Sequence, residues 1–411
     1  MQRRVVITGF GVVTSIGLNG AEFWQSLMAG KSGVDLITRF DTDGYSTKIA
    51  AEVKGFDPET HFDKKEVRRL DPFAQYAIVG AREAIKNSEI NFDNVDRNRV
   101  GVIVGSGIGG ILSFENEIKK MLEQGPRRVS PFFITQMISD IAAGHISMEY
   151  GLKGPNYATV SACATSGHAI GVATMAIQRG DADVMICGGS EASITPMGVS
   201  GFMAMKAIST NNENPQGASR PFDLNRDGFV IGEGAGIVII EELQHAQRRN
   251  APIIVEIAGL AFTADAYHIT QPAPGGEGAV RAMQLCLEDG GLHPEDIDYI
   301  NAHGTSTPYN DKNETEAIKT VFGKRAYEVA ISSTKSMTGH MLGAAGAVEL
   351  ISTALAMQNG KIPPTINYDT PDPECDLDYT PNQAKKADID AAISNTFGFG
   401  GHNACISIKK I

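Results

Sequence analysis

A complete strand–turn–helix–strand unit is encoded in NYATVSACATSGHAIGVATMAIQRGDADVMICGGS, residues 156–190. Its first apolar run predicts a β-strand, and alanines with Val172 at helical spacing then predict a helix that ends at Gly180. The run DVMICGGS predicts a return to the sheet. Between the first strand and the helix, a single cysteine, Cys163, is flanked almost entirely by small residues. The unit therefore predicts a thiol at the point where a helix begins.

The same alternation of strand-like and helical patterns runs along the whole chain, which predicts βαβ units and a largely parallel sheet with helices on its faces. A second unit of this order, YEVAISST followed by MLGAAGAVELISTALAM, contains Lys335 at its turn and ends at Gly360. We therefore expect an internal repeat. A charged helix and a new strand meet near residues 247–253, so the predicted halves are residues 1–250 and 251–411.

The composition argues against several classes of protein. A formal net charge of −12 disfavours general binding to nucleic acid. No apolar run approaches the ~20 residues of a membrane span, and the apolar part of MQRRVVITGFG is too short for a signal peptide. The five cysteines are widely spread and form no CxxC pair, which predicts reduced thiols in the cytoplasm and no zinc framework.

Candidate chemical groups follow several predicted strands at the point where each strand ends. They are Cys163, His303, Lys335, His340 and the glycine turn at residues 397–401. Ligands of parallel α/β sheets bind beyond the carboxyl ends of the strands. We therefore expect these separate groups to converge on one site.

Cys163 has two interpretations. A buried structural cysteine is the commoner one, and it suffices for Cys187, Cys286 and Cys405, which lie in apolar periodic segments. At a helix start, however, the macrodipole and the free backbone N–H groups favour a thiolate, and small neighbours leave room for an acyl carrier. The Cys163 amide would then serve as one arm of an oxyanion hole.

His303, His340 and Lys335 also have two interpretations. Each one alone is explained as a turn residue, a helix cap or a solvated side chain. Two imidazoles and an ammonium group near a thiol would instead stabilise negative charge on carbonyl oxygens. The hydroxyls of Thr305 and Thr307 are suited to hydrogen-bond an amide-rich arm.

Two further motifs need an interpretation. GSGIGG, residues 105–110, matches the GxGxxG of dinucleotide sites, but no acidic partner follows at the expected distance, so a nucleotide is not expected. DKKEVRR, residues 63–69, is either a solvated face or a docking site for an acidic partner. The second interpretation is favoured if Arg127, Arg128 and Lys206 lie nearby.

Four motifs resemble, in this order, those of the β-ketoacyl-acyl-carrier-protein synthases: VSACATSGHAIG, NAHGTSTPYNDKNE, STKSMTGHMLGAAGA and SNTFGFGGHNACI. The likeness runs from end to end and is strongest to the elongating, synthase II type of bacterial type II fatty-acid synthesis. It implies the thiolase fold, an α/β fold of two similar halves in a five-layer α-β-α-β-α sandwich, and a homodimer. It also implies no required cofactor, because the phosphopantetheine arm arrives on the acyl carrier protein.

The resemblance implies a role for each central residue. Cys163 is the nucleophile, and His303 with His340 serves malonyl decarboxylation. Lys335 sets the electrostatics of the site. The backbone amides of Cys163 and Phe399 form the oxyanion hole. The residues that match the gate between the acyl and malonyl sites are Gly398, Phe399 and Gly400.

The resemblance also implies contacts with substrate and partner. Thr305 and Thr307 match threonines that bind phosphopantetheine, and Glu314 matches a member of a supporting network. The residues that match the lining of the acyl pocket are Ile108, Phe202 and Phe133 of the partner subunit. The residues that match the carrier-docking patch are Lys64, Lys65, Arg68 and Arg69. The residues that match a monovalent-cation site of some members are Asn301, Glu349, Ser394 and Asn395.

These roles imply a decarboxylative Claisen condensation, in which Cys163 takes an acyl group from its carrier and a malonyl carrier supplies two carbons with loss of CO₂. Three other activities stay open. A thiolase needs a second catalytic cysteine near the glycine turn, where the chain has only Cys405 within a predicted strand. A hydrolase must admit water to the acyl-enzyme, and a chain-length factor normally lacks the nucleophile. His402 stands where many members have threonine, which leaves its effect on gating open.

Overall fold

The computed structural model describes residues 3–411. Its α-helices within that range are α1 (Gly20–Met28), α2 (Lys64–Val67), α3 (Pro72–Asn87), α4 (Ile111–Gln124), α5 (Phe133–Met137), α6 (Ile141–Tyr150), α7 (Thr165–Arg179), α8 (Pro196–Ala204), α9 (Leu243–Arg248), α10 (Glu277–Gly290), α11 (Pro308–Phe322), α12 (Lys335–Thr338) and α13 (Ala345–Asn359). Its strands are β1 (Val5–Val13), β2 (Asp35–Leu36), β3 (Ile49–Ala50), β4 (Val100–Gly105), β5 (Asn156–Tyr157), β6 (Val184–Glu191), β7 (Gly234–Glu242), β8 (Val255–Ala264), β9 (Tyr299–Asn301), β10 (Ala330–Ser332), β11 (Lys361–Ile362), β12 (Lys385–Lys386), β13 (Ala391–Gly398) and β14 (His402–Lys409). Between residues 3 and 411, no helix has the length and apolar character that crossing a bilayer requires.

Ten strands form one sheet in the order β10-β9-β13-β14-β8-β1-β7-β6-β4-β5. Its two central strands, β1 and β8, pair antiparallel. The same pairing repeats on either side. On one side β1 pairs antiparallel with β7, and β7 with β6; on the other side β8 pairs antiparallel with β14, and β14 with β13. Parallel pairing then continues through β4 and β5, or through β9 and β10. The prediction of a largely parallel sheet is therefore wrong, because β7 and β14 run against both of their neighbours.

Helices cover both faces of each half of the sheet. The middle layer is formed by α7 and α13, which contact each other and strands of both halves. Helices α3 and α6 pack on the outer face of the first half, and α10 and α11 on that of the second. Every residue of α13 from 345 to 357 is buried, so this helix is covered on all sides. The resulting order of layers is α-β-α-β-α, as expected.

The two middle helices approach closely at their N-terminal ends. Gly346 of α13 faces Gly167 of α7, and a Cβ built on Gly346 would lie 3.1 Å from the Gly167 nitrogen. Across the same contact, the Ala347 N–H donates to Ser166 Oγ at 2.9 Å. The small residues that follow Cys163 are therefore explained first by packing, because larger side chains would separate the two helix starts.

The internal repeat extends to backbone conformation. Each middle helix has 15 residues, follows a 3₁₀ turn and ends at a left-handed glycine, Gly180 or Gly360. The first residue of each 3₁₀ turn has the same unusual conformation, with φ 49° at Ala162 and 47° at Leu342. Strands β1–β7 lie before the predicted seam and β8–β14 after it. On this basis we propose residues 1–250 and 251–411 as the two structural units.

Replacing Gly236 of β7 with Ala should destabilise the protein, because the new Cβ would lie 2.7 Å from the backbone nitrogen of Val348 on α13. We expect a loss of about 1–3 kcal/mol in the free energy of unfolding, measured by urea denaturation. Gly201→Ala is the matched control, since no heavy atom lies within 4 Å of that position on α8. It should be neutral or stabilise by up to ~1 kcal/mol. Equal stability of the two variants would contradict the proposed packing of α13 on β7.

Candidate active site

Cys163 lies in the 3₁₀ turn Ala162–Ala164, directly before α7. Thr165 holds that turn, because its hydroxyl accepts from the Ser161 N–H at 2.9 Å and donates to the Ala162 carbonyl at 2.7 Å. The left-handed φ of Ala162 is a strained conformation for a residue with a side chain. Cys163 itself is only 6% exposed, yet it lines a cavity of about 480 Å³. The turn therefore presents the thiol to an enclosed space.

Two imidazoles share this cavity with the thiol. The Nε2 atom of His340 lies 3.0 Å from Cys163 Sγ. The ring centroids of His303 and His340 are 5.4 Å apart, with the rings at 85°. Both rings are buried, and the Nδ1 atom of each has no hydrogen-bond partner among residues 3–411. The structure thus brings the thiol and both rings into one chamber.

Burial dominates the protonation of these three groups. It raises the pKa of the Cys163 thiol to about 12, although the charge of Lys335 and the backbone N–H of Phe399 favour the thiolate. Burial, followed by the charge of Lys335, holds the pKa of His303 and of His340 well below 6.5. The thiolate expected at the helix start is therefore not the resting form. The site holds a neutral thiol beside a neutral imidazole.

Lys335 and two glutamates lie beside this chamber. The Lys335 ammonium pairs with Glu349, and both side chains are buried. Glu314 accepts from the backbone N–H groups of His303 and Gly304, at 2.8 and 2.7 Å. Burial raises the pKa of Glu349 to about 7 despite Lys335, and that of Glu314 to about 7 despite the two backbone donors. Lys335 thus acts on the thiol through space, while Glu314 fixes the backbone that carries His303.

The four residues matched to a cation site are buried, and one oxygen of each has no hydrogen-bond partner in the described chain: Asn301 Oδ1, Glu349 Oε2, Ser394 Oγ and Asn395 Oδ1. Asn301 and Ser394 are register partners on β9 and β13, and Asn301 Nδ2 donates to the Glu349 carbonyl at 3.4 Å. The Asn395 side chain instead donates to Glu314 Oε1 at 3.3 Å. Asn301, Ser394 and Glu349 therefore offer a set of oxygens that fits a hard cation.

The glycine turn between β13 and β14 closes over Cys163. Gly398 abuts the cysteine directly, because a Cβ built on it would lie 3.1 Å from the Cys163 nitrogen. The Phe399 N–H is directed at the Cys163 sulfur, and Phe399 lines the cavity. Gly400 is exposed, and its N–H donates to the Ile269 carbonyl at 2.7 Å. The Phe399 amide is thus a candidate donor for an oxyanion hole.

Thr305 and Thr307 form a pair of hydroxyls on the cavity wall, with their Oγ1 atoms 2.9 Å apart. Thr307 also caps α11. The exposed residues Lys206 and Tyr309 line the same cavity, so it opens to solvent. Polar groups are therefore available between the surface and the thiol.

The residues predicted for the acyl pocket are divided. Phe202 packs against Phe229, with ring centroids 5.4 Å apart, and both belong to an apolar cluster that contains Cys163. Ile108 is 38% exposed and Phe133 is half-buried on α5, and neither lines the cavity of the single chain. Phe202 does not line the cavity either, so the structure connects it to the thiol only through their common apolar cluster.

Two residues after the glycine turn lie outside the cavity. His402 is exposed and pairs with Gly398 across the turn. Cys405 is fully buried within β14 and does not line the cavity. A thiolase-like pair of cysteines is therefore not assembled at this site.

Glu191 is a buried residue that supports the loops beside the site, and its role was not predicted from the sequence. Buried at the end of β6, it accepts from the N–H groups of Gly107 and Ile108, at 2.9 and 3.2 Å. It also accepts from the Gly343 N–H at 3.0 Å, on the turn before α13. The donors of the GSGIGG loop are thus engaged by a carboxylate, where a dinucleotide site would offer them to phosphate. A signal was present, because an acidic residue directly follows the apolar run VMICGGS.

A second groove, of about 460 Å³, has a strongly basic lining. Its basic residues, which we call the basic groove, are Lys65, Arg68, Arg69, Lys120, Arg127 and Arg128. Only Lys120 among them has a carboxylate of residues 3–411 within 4.0 Å. Lys64 lies outside the groove, 3.6 Å from Glu59, and Lys206 lies at the cavity. The other five basic residues of the groove have no carboxylate partner in the described part of the chain, although the chain as a whole carries a net charge of −12. Such a local concentration of positive charge favours the binding of an acidic partner.

The fold and the site together define a class of protein: a five-layer α/β molecule in which a cysteine at a helix start faces two histidines inside a cavity. Residues 2–246 match the family described as beta-ketoacyl synthase, N-terminal domain, and residues 254–369 match beta-ketoacyl synthase, C-terminal domain. The chain therefore belongs to the beta-ketoacyl synthase family.

Relatives match the chain over its full length. The 3-oxoacyl-[acyl-carrier-protein] synthase 2 of Staphylococcus aureus (strain N315) is 54% identical over 408 residues, covering 99% of this chain and 98% of that protein. The protein of the same name from Coxiella burnetii (strain RSA 493 / Nine Mile phase I) is 51% identical over 410 residues, covering 100% and 99%. A crystal structure of a beta-ketoacyl synthase from Burkholderia phymatum STM815 superposes with a TM-score of 0.93 at 36% identity, covering 100% of both chains. The predicted family and thiolase fold are confirmed.

In a ¹³C NMR titration of labelled histidine, His303 and His340 should remain neutral between about pH 6 and 8, because burial and Lys335 hold the pKa of both rings low. Lys335→Met removes a positive charge, so both midpoints should move to higher pH. Lys319→Met is the control and should move neither, since Lys319 pairs with Asp376 near the surface. A wild-type midpoint at or above pH 6.5 would contradict the neutral pair.

Proposed function

We propose that this protein condenses the thioester of an acyl carrier protein with a malonyl thioester, giving a 3-oxoacyl chain two carbons longer, CO₂ and free carrier, in fatty-acid elongation. The observation that carries the proposal is the 3.0 Å contact between Cys163 Sγ and His340 Nε2, in a cavity also lined by His303 and Phe399. The name of the full-length relatives, 3-oxoacyl-[acyl-carrier-protein] synthase 2, supports the same reaction.

In the first half-reaction, Cys163 Sγ attacks the carbonyl carbon of the acyl thioester. Because burial keeps the thiol protonated at rest, its proton passes to His340 Nε2, 3.0 Å away. The carbonyl oxygen becomes an oxyanion stabilised by the amides of Cys163 and Phe399. The bond from the carbonyl carbon to the carrier's sulfur then breaks, the proton passes to that sulfur, and the acyl group stays on Cys163.

In the second half-reaction, a malonyl thioester occupies the cavity. Its carboxylate leaves as CO₂, and the electrons of the broken bond form an enolate whose oxygen accepts N–H bonds from His303 and His340. The enolate carbon attacks the acyl-cysteine carbonyl, the new C–C bond forms, and the bond to Cys163 breaks. The sulfur takes up one proton from solvent. Neutral rings suit this step, because a charged imidazolium would hold the carboxylate and oppose its loss.

Lys335 serves these steps through its charge. It favours the Cys163 thiolate as that form develops, and it opposes protonation of both rings. A monovalent cation held by Asn301, Ser394 and Glu349 would add a second fixed positive charge beside Glu349.

The partner in this proposal is the acyl carrier protein in its acyl and malonyl forms. Its phosphopantetheine arm would enter past Lys206 and hydrogen-bond to Thr305 and Thr307, while its acidic surface would dock on the basic groove. No cofactor of the protein's own is required, because the thioester is already activated and loss of CO₂ drives the condensation. A solved ketosynthase, 35% identical with a TM-score of 0.93, is in complex with its acyl-carrier protein, which supports this partner.

We also propose a homodimer in the cytoplasm. The surface of α4 and α5 exposes a group of apolar side chains: Phe114, Ile118, Met121, Leu122 and Ile134. A second copy on this surface would cover it and bring Phe133 of the partner subunit to the acyl pocket beside Ile108. The five free cysteines suit a reducing compartment.

Cys163→Ala or Cys163→Gln should reduce condensation at least about 1,000-fold and leave malonyl decarboxylation, because enolate formation uses the histidines and not the sulfur. Mass spectrometry of the carrier-bound product and release of labelled CO₂ measure the two steps separately. Cys187→Ala is the matched control, since Cys187 is equally buried within β6 and does not line the cavity. A Cys163 variant that still elongates acyl chains would contradict the assignment of Cys163 as the nucleophile.

Arg68→Glu or Arg127→Glu should lower kcat/KM for carrier-bound substrates about tenfold or more, because each reversal places a carboxylate in the basic groove. The loss should shrink at high salt. Lys64→Glu is the matched control and should change kcat/KM less than about twofold, since Lys64 lies outside the groove beside Glu59. Steady-state kinetics at low and high salt check this. Equal losses in all three variants would argue against docking in the basic groove.

A further inference from the structure

Arg226 is a buried arginine that the steps above do not use. It precedes Asp227, Gly228 and Phe229, all of which line the catalytic cavity. The side chain of Arg226 itself does not line that cavity. It lies beneath a part of the cavity wall that carries substrate-binding candidates.

The guanidinium of Arg226 joins three segments of the chain. Its Nε and Nη2 atoms donate to the carbonyls of Thr307 and Pro308, each at 3.3 Å. Its Nη1 atom donates to Asp372 Oδ2 at 2.5 Å and to the Asp223 carbonyl at 2.8 Å. A planar group with a fixed fork of donors makes these bonds together, whereas a lysine has one nitrogen and cannot.

The segment that Arg226 contacts is held by tertiary contacts: Glu314 fixes its start at His303 and Gly304, and residues 220–228 contact its end. Residues 302–307 form neither helix nor strand, and Ser306 has a left-handed φ of 69°. Besides Arg226, the neighbouring segment supplies the N–H of Gly228 to the Ser306 carbonyl at 3.1 Å, and that of Arg220 to Ser306 Oγ at 3.0 Å. Residues 220–228 therefore help to position the two threonine hydroxyls, and Arg226 is the residue of that segment whose side chain reaches the carbonyls of Thr307 and Pro308.

We infer that Arg226, held by Asp372 and Asp311, is a positioning residue for the substrate's arm. It fixes the carbonyls of Thr307 and Pro308, and thereby the pair of hydroxyls on Thr305 and Thr307 that would bind the amides of a pantetheine thioester. This inference rests on the proposed function, which supplies the arm. We do not expect Arg226 to affect binding of the acyl group or of the reacting carbonyl.

The test compares two substrates that carry the same acyl group, one as a pantetheine thioester and one as an ethanethiol ester without an arm. Arg226→Lys should lower kcat/KM for acylation of Cys163 about tenfold with the pantetheine thioester, mainly by raising KM. With the ethanethiol ester the change should stay below about twofold. A purely structural role would lower both values alike, so the ratio of the two is the deciding readout.

Arg220→Lys is the matched control. Arg220 lies on the same segment and its guanidinium pairs with Asp223 and Asp369, but it does not contact the threonine carbonyls. It should leave the ratio unchanged. If Arg226→Lys does not fold, Asp372→Asn answers the same question, because it removes one of the two carboxylates, Asp372 and Asp311, that hold Arg226 and should shift the ratio about threefold in the same direction.

Two outcomes would overturn the inference and leave the proposed function standing: an unchanged ratio in Arg226→Lys or its substitute, or an equal shift in Arg220→Lys. Failure of the wild-type protein to acylate Cys163 from any thioester would instead overturn the proposed function.

Discussion

The close contact between the N-terminal ends of α7 and α13 is the constraint on which the site depends. Gly167 and Gly346 allow the two helices to meet almost backbone to backbone, and the 3₁₀ turns that precede them touch. One turn carries Cys163, and His340 lies just before the other. A sulfur and an imidazole 177 residues apart thereby come within 3.0 Å. A side chain at Gly346 would press on Gly167 and Ser166 of α7 and widen this distance, so packing and chemistry share one requirement.

Because this contact is buried, burial determines which groups of the site carry a charge. A charge away from water must be paired, and the Lys335–Glu349 pair meets that condition while the thiol and both rings stay neutral. Arginine serves in two contrasting ways. The arginines of the basic groove have no carboxylate partner within residues 3–411 and remain available to a docking surface. Arg226, by contrast, is buried, and its N–H groups donate to the protein's own carbonyls and carboxylate. The proposed recognition and the proposed positioning thus both use arginine, in different surroundings.

Much of this organisation is visible in the sequence, because it depends on short-range patterns. Strand and helix periodicities predict the repeating units, and the glycines at positions 180 and 360 mark the ends of both middle helices. Chemical residues at strand ends predict convergence of Cys163, His303 and His340 on one site. The role assigned to Phe399 came from family resemblance, since its type and spacing alone did not distinguish a gate from an ordinary turn. The hydroxyls of Thr305 and Thr307 suggested an amide-rich arm, and the resemblance identified that arm as phosphopantetheine.

By itself, the sequence determined the order of elements, the internal repeat and the thiol at a helix start, all properties of neighbouring residues. Only the tertiary structure decided which strands pair and in which direction, because strands that pair can be far apart in sequence. The neighbours β1 and β8, for example, are separated by more than 200 residues. It also decided that the glycine loop at 105–110 binds Glu191, a carboxylate from another strand. The neutral state of Cys163 likewise depends on tertiary structure, since burial outweighs the groups that favour the thiolate.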